Sequence, residues 1–163
     1  MTKPDGTCQI CVRPATTSDR PAIQAIFELS VSEALWLPAA AKQNAVFADV
    51  SQGEVIHVAE IAAGVIAGFV SVQTADPFIH HLYVHPAARG RSVGQALLNS
   101  LRAWLPQPWR LKCVRQNVGA LQFYRRCGWE EAGSGQSEHG DFLILFFRQN
   151  PARGIAPFLE ELP

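Results

Sequence analysis

One stretch constrains the chain more than any other. Ile79 to Val84 reads as an apolar strand, His85-Pro86 marks a turn, and Ala87-Ala88-Arg89-Gly90-Arg91 forms a Gly- and Arg-rich loop. A helix then opens at Ser92-Val93-Gly94 and carries Ala96, Leu97, Leu98 and Leu101 on its apolar side. A helix N-terminus presents unpaired backbone N–H groups and a partial positive charge, so a strand, loop and helix in this order can hold a phosphate. Arg89 and Arg91 add fixed cations, and Gly90 and Gly94 let a diphosphate approach the backbone. Two other phosphate loops fail. No Gly-Lys-Ser or Gly-Lys-Thr follows, which excludes a P-loop. A dinucleotide fingerprint needs three glycines and an acid near the end of the next strand, and Lys112-Cys113-Val114-Arg115-Gln116 holds none.

A second segment follows the short strand Trp109 to Val114. In Asn117-Val118-Gly119-Ala120-Leu121-Gln122-Phe123-Tyr124-Arg125-Arg126-Cys127-Gly128-Trp129, Asn117 is a helix N-cap, and Ala120, Phe123, Tyr124 and Cys127 give one apolar face. Gly128 stops the helix, and Trp129 opens another strand.

The two segments together resemble the motifs of the GNAT superfamily of N-acetyltransferases. The acyl-CoA loop of that family reads Gln or Arg, two variable residues, Gly, one variable residue, then Gly or Ala. Arg89 and Gly94 match its ends, and Ser92 stands at the middle glycine. A serine keeps the N–H and suits a helix N-terminus, but prefers ordinary backbone angles where glycine is free. The resemblance implies acetyl-CoA as co-substrate, no metal, and a diphosphate held by Arg89, Gly90, Arg91, Ser92, Val93 and Gly94. It also implies that Asn117 meets the pantetheine arm, that Tyr124 lies near the thioester sulfur, and that the backbone of Leu82, Tyr83 and Val84 pairs with pantetheine as a strand would.

The chain has 163 residues, enough for one domain with a full core, and 48% hydrophobic against 17% charged residues is the balance of a globular protein. Its formal net charge is +0, with 14 basic and 14 acidic residues, so nothing points to nucleic acid or to an anionic membrane. No apolar run reaches the ~18–20 residues of a membrane span, and the first residues lack the apolar core of a signal peptide. A cytoplasmic location is the expectation. Cys8 and Cys11 form a Cys-x-x-Cys, but Cys113 and Cys127 form no second pair; small side chains in or beside a first strand are the expectation, not a zinc site.

The expected elements are a strand over 9–13, a helix from Ser18 to about Ala34, a helical stretch over 39–49, a hairpin of 55–60 with 64–73, then the two motifs, and strands at 129–132 and 141–147. This β-α-α-β-β-β-α-β-α-β-β order matches the GNAT arrangement over about Ile10 to Arg148. The resemblance implies a mixed, mostly antiparallel sheet, splayed between its fourth and fifth strands and flanked by helices. Residues 1–148 form the single domain and 149–163 a Pro-containing tail. Ser134 to Asp141 reads as a polar loop beside the acceptor site. Phe142 to Phe147 would be a sticky edge strand, which points to pairing with a second subunit.

Acetyl transfer to an amine requires deprotonation of the ammonium, polarisation of the thioester carbonyl and stabilisation of the departing thiolate. Tyr124 is the expected acid. His80 and His81 alternate on the fourth strand; register picks His80 as base, with His81 or a water chain as alternatives. His57 and His85 are weaker candidates. The expected acceptor is a primary amine of a small molecule or peptide. Two alternatives are a protein N-terminal or lysine acetyltransferase and a non-catalytic acyl-CoA-binding module.

Overall fold

The computed structural model describes residues 9–149; Cys8 and the tail from 150 onward lie outside the described residues. Its strands are β1 (Cys11–Pro14), β2 (Val55–Ala62), β3 (Val65–Gln73), β4 (Phe78–Val84), β5 (Trp109–Val114), β6 (Glu130–Ser137) and β7 (Gly140–Phe147). Its α-helices are α1 (Arg20–Glu33), α2 (Ala39–Lys42), α3 (Phe47–Val50), α4 (Val93–Ser100) and α5 (Val118–Arg126).

The strands form one sheet in the order β1-β2-β3-β4-β5-β7-β6, antiparallel at every junction except β4–β5. That junction pairs only Phe78 with Arg110 and Ile79 with Leu111. Beyond Ile79 the two strands part. The splay implied by the family resemblance is therefore present in the sheet itself.

Helix α1 starts where the sequence says it should. Pro21 occupies its first turn, and the Asp19 carboxylate just before it accepts from the Thr16 N–H (2.7 Å) and from Arg13. Ile23, Ile26, Phe27 and Val31, at spacings of three and four, bury one face of α1 against Val58, Phe69 and Phe47. The opposite face of the sheet packs on α4 and α5 through Val70, Val72, Ile79, Leu97, Leu101, Trp109 and Leu145.

Two expectations about elements need correction. The helical stretch over 39–49 is two single turns, α2 and α3, separated by Asn44 at φ 54°. A left-handed residue cannot continue a right-handed helix, and Asn tolerates that conformation better than most. The polar loop over 134–141 is mostly strand. β6 runs on to Ser137, because a ladder to β7 asks for backbone partners and not for apolar side chains. Gly135 fits there because Phe142 lies across it; a Cβ would fall 2.6 Å from the ring.

The edge-strand argument for a second subunit also loses its premise. β7 lies between β5 and β6, so Phe142 to Phe147 is paired on both sides, and the edge belongs to the polar β6.

Gly68 sets how closely α4 approaches the sheet. A Cβ at this β3 position would lie 2.7 Å from the Tyr83 carbonyl oxygen, 3.2 Å from Val93 and 3.3 Å from Leu97. The nearest of these is backbone and cannot swing away. Gly68→Ala is expected to lower stability by about 1–3 kcal/mol, the usual cost of overpacking a core, as read by urea unfolding. An unchanged midpoint would show that β4 yields freely at this point.

Candidate active site

The register of β3 against β4 decides which backbone groups of β4 are open. The His85 N–H donates to the Ala67 carbonyl (2.7 Å), which makes 67/85 a hydrogen-bonded pair of the antiparallel ladder. Phe69/Tyr83 and Ser71/His81 follow as hydrogen-bonded pairs, and Gly68/Val84 and Val70/Leu82 as non-bonded ones. The N–H and C=O of Leu82 and Val84 therefore point away from β3, towards the gap that β5 has left. Tyr83 differs from its neighbours in the expected trio. Its backbone is turned to β3, and its ring packs on Phe27 and Phe69 on the α1 side.

The loop before α4 brings its polar groups to the same end of the sheet. Gly90 adopts φ 76° with open space around its Cα, so the backbone there is accessible. Arg89 donates to Glu33 of α1 (2.7 Å) and is half exposed, whereas Arg91 is exposed and makes no ion pair among the described residues. Gly94 also has a packing role. A Cβ there would face Phe123 of α5 at 3.1 Å and Val84 at 3.7 Å, so the missing side chain keeps clear the space between α4, α5 and the end of β4.

Ser92 brings a correction in this loop. It is the residue before α4, at φ 63°, ψ 18°, and its hydroxyl caps nothing. Glycine takes this left-handed conformation freely, and the serine adopts it under strain. Ser92→Gly is expected to raise stability by about 1 kcal/mol, or roughly 2–4 °C in Tm for a domain of this size. A fall in Tm on calorimetry would mean that the hydroxyl makes a contact worth more than the strain.

On α5, the Asn117 side chain accepts from the Ala120 N–H (3.2 Å), so it caps the helix as expected and leaves its amide nitrogen unspent. Tyr124 is buried, edge-on to Phe123 and Trp129. It belongs to the core cluster that also holds Ile79 of β4 and Leu111 and Cys113 of β5. Burial above all raises its pKa far above that of a free tyrosine, so the proton stays on the oxygen. Cys113 is likewise pushed up to about 11 by burial, so it stays a thiol and does not compete as a nucleophile.

The two histidines of β4 separate cleanly. His81 is largely buried against Phe27, Phe47 and Tyr83, and burial holds its pKa below the ordinary value, with its Nδ1 left unpartnered. His80 is the extra residue of a β-bulge between Ile79 and His81, exposed, with Nδ1 against the Glu54 carboxylate. His57 stacks on Trp104 (4.5 Å between centroids), and the His85 ring accepts from the Ala87 N–H (3.1 Å). Neither lies with the β4 pair. Glu54 had no signal in the sequence. It sits 26 positions from His80, and only the placing of β2 and β4 on either side of β3 brings the two together. Among the described residues no group of three or more His, Cys, Asp or Glu side chains could hold a metal, and no helix is long and apolar enough to cross a membrane.

The family described as "Acetyltransferase (GNAT) domain" matches residues 52–131, a span that contains β2 to α5 and both motifs. Residues 52–131 form a GNAT acetyltransferase domain. An uncharacterised N-acetyltransferase of Methanocaldococcus jannaschii, MJ1207, is 39% identical over 57 residues, which are 32% of this chain and 25% of that protein. The chain thus spans about a quarter of the length of that curated relative. Apo YjaB of Escherichia coli has the same fold, at TM-score 0.70 and 20% identity over 85% of this chain and 97% of that one. YncA of Salmonella typhimurium, described with its cofactor acetyl-CoA, superposes at 0.65 and 20% identity over 86% and 94% of the two chains. A Bacillus anthracis protein described as a streptothricin acetyltransferase in complex with acetyl coenzyme A gives 0.63 and 15% identity, covering 86% and 100%. At these identities the three structures establish the GNAT fold.

Proposed function

We propose that the protein is an acetyl-CoA-dependent N-acetyltransferase that moves an acetyl group to a primary amine of a small molecule or peptide. The observation that carries this reading is the β4–β5 opening. Two residues of β4, Leu82 and Val84, leave their backbone groups unpaired there, and a protonated, buried Tyr124 packs in the same core cluster as residues of both strands. Unpaired strand backbone suits the amide-bearing pantetheine arm, which can add to the sheet as a short strand. Arg91, the open backbone at Gly90 and the start of α4 suit the diphosphate. The relatives described with acetyl-CoA support the same choice of co-substrate.

When bound, acetyl-CoA supplies the activated acyl group. The chain's own part is fourfold. The N–H of Leu82 or Val84 polarises the thioester carbonyl as a fixed donor. His80 accepts a proton from the acceptor ammonium, whose ordinary pKa near ~10 otherwise leaves little free amine. Tyr124 donates its hydroxyl proton to the departing sulfur. Phe123, Val84 and the α4–α5 contact shield the arm from water.

Thiol release measured with acetyl-CoA across a panel of small amines and peptides tests the reading. Amine-dependent release that yields the N-acetyl product supports it. Acetyl-CoA binding with no release above the amine-free rate, for any amine, would instead identify a binding module.

A further inference from the structure

Glu54 stands at the entry to β2, behind a turn in which its N–H donates to the Ser51 carbonyl (3.1 Å) and Gly53 takes φ 77°. Its carboxylate side chain is only 5% exposed. A buried carboxylate is costly without partners, and this one has a partner for each oxygen. Oε2 accepts from the hydroxyl of Ser71 on β3, itself fully buried, and Oε1 lies against Nδ1 of His80 on β4. The bulge at His80 breaks the alternation of β4 at this residue, so that its ring reaches Glu54 while its 36% exposed side chain still meets solvent. The other groups facing the ring are His81, 6.3 Å away between centroids, and the uncharged Phe78 at 4.9 Å. His81 is kept from charging chiefly by burial, so among the described residues Glu54 is the charged group against the His80 ring.

We infer that Glu54 is the positioning residue of the base: it holds His80 by Nδ1–H, which leaves Nε2 with the lone pair that takes the acceptor's proton. Nothing in the comparisons assigns Glu54 or Ser71 a role. The inference rests on the acetyltransferase reading only for what Nε2 acts upon. Nε2 removes a proton from the acceptor ammonium, and the carboxylate stabilises the imidazolium so formed. The neutral amine attacks the acetyl carbon, the C–N bond forms and the C–S bond breaks; the thiolate takes the Tyr124 proton, and the second proton of the attacking nitrogen, lost as the amide forms, restores the Tyr124 hydroxyl. The exposed imidazolium then returns its proton to solvent. Ser71 fixes the second oxygen, so the carboxylate cannot swing away from the ring.

Two measurements on the full chain decide the matter. Long-range nitrogen–proton correlation NMR of the His80 ring, in wild type at high pH, should show the Nδ1–H tautomer. In Glu54→Gln, whose amide can donate to Nδ1 as well as accept from it, the Nε2–H tautomer should appear beside the Nδ1–H form. Turnover should fall about 10- to 100-fold with acetyl-CoA affinity unchanged. The same change of tautomer should persist in a His81→Gln background. An Nε2–H tautomer in wild type overturns the inference by itself, whether or not the variant folds. So does a folded Glu54→Gln variant with unmoved tautomer and rate. If no amine is acetylated by wild type, the proposed function fails, while the tautomer still decides the Glu54–His80 contact.

Discussion

Tyr124→Phe is expected to lower turnover by ~10²-fold or more, the lower range for a lost general acid, with little change in acetyl-CoA affinity. The substitution keeps the ring and its edge contacts with Phe123 and Trp129, so the fold should not respond. Only the hydroxyl proton is removed. Because burial raises the Tyr124 pKa, the acid form persists through the working pH range, and the alkaline side of the wild-type rate profile should not report on this residue. Steady-state thiol release with the best amine of the panel, alongside calorimetric titration of acetyl-CoA, separates the outcomes. Full turnover in the variant would reduce Tyr124 to a packing residue.

Gly94→Trp is expected to abolish acetyl-CoA binding. The new side chain would start 3.1 Å from the Phe123 ring and 3.7 Å from Val84, and an indole has nowhere to go but the passage between α4, α5 and the open edge of β4. Isothermal titration should show no heat of binding, while circular dichroism confirms that the domain still folds. Gly94→Ala, which meets only the movable end of the Phe123 ring, should bind with a modest loss. Wild-type affinity in a folded Gly94→Trp would remove the α4–α5 passage from the binding site.

The parts of this protein that were legible in the sequence are those where local chemistry and long-range structure agree. Strand Trp109–Val114 has the expected bounds because its alternation of apolar and charged residues ends at polar Arg115-Gln116 before a helix cap. Asn117 caps α5 because an Asx side chain opening an amphipathic run has few other uses. His80 over His81 was a choice of register, and the bulge that frees His80 is consistent with it, although nothing in the residues Ile-His-His-Leu announces a bulge.

What was not legible depends on contacts between distant residues. Phe142 to Phe147 reads as a terminal edge strand, yet β7 enters the sheet between β5 and β6, an insertion that no local pattern encodes. The polar residues of β6 read as loop because exposure on a sheet edge erases the alternation that marks a half-buried strand. Ser92 reads as a helix cap because Ser ordinarily is one, and only the backbone angles show that it fills a glycine's place. Glu54 is silent for the same reason as β7: its partners Ser71 and His80 are 17 and 26 positions away.

Amide hydrogen exchange, with and without acetyl-CoA, tests most directly whether the β4–β5 opening takes up the pantetheine arm. In the free protein the Leu82 and Val84 amides have no partner in the β3 ladder, whereas those of Tyr83 and His85 are bonded to it. Saturating acetyl-CoA should slow exchange at Leu82 and Val84 while leaving Tyr83 and His85 as they were. Binding that leaves Leu82 and Val84 exchanging at the free rate would contradict the assignment, because the arm would then lie somewhere other than along β4.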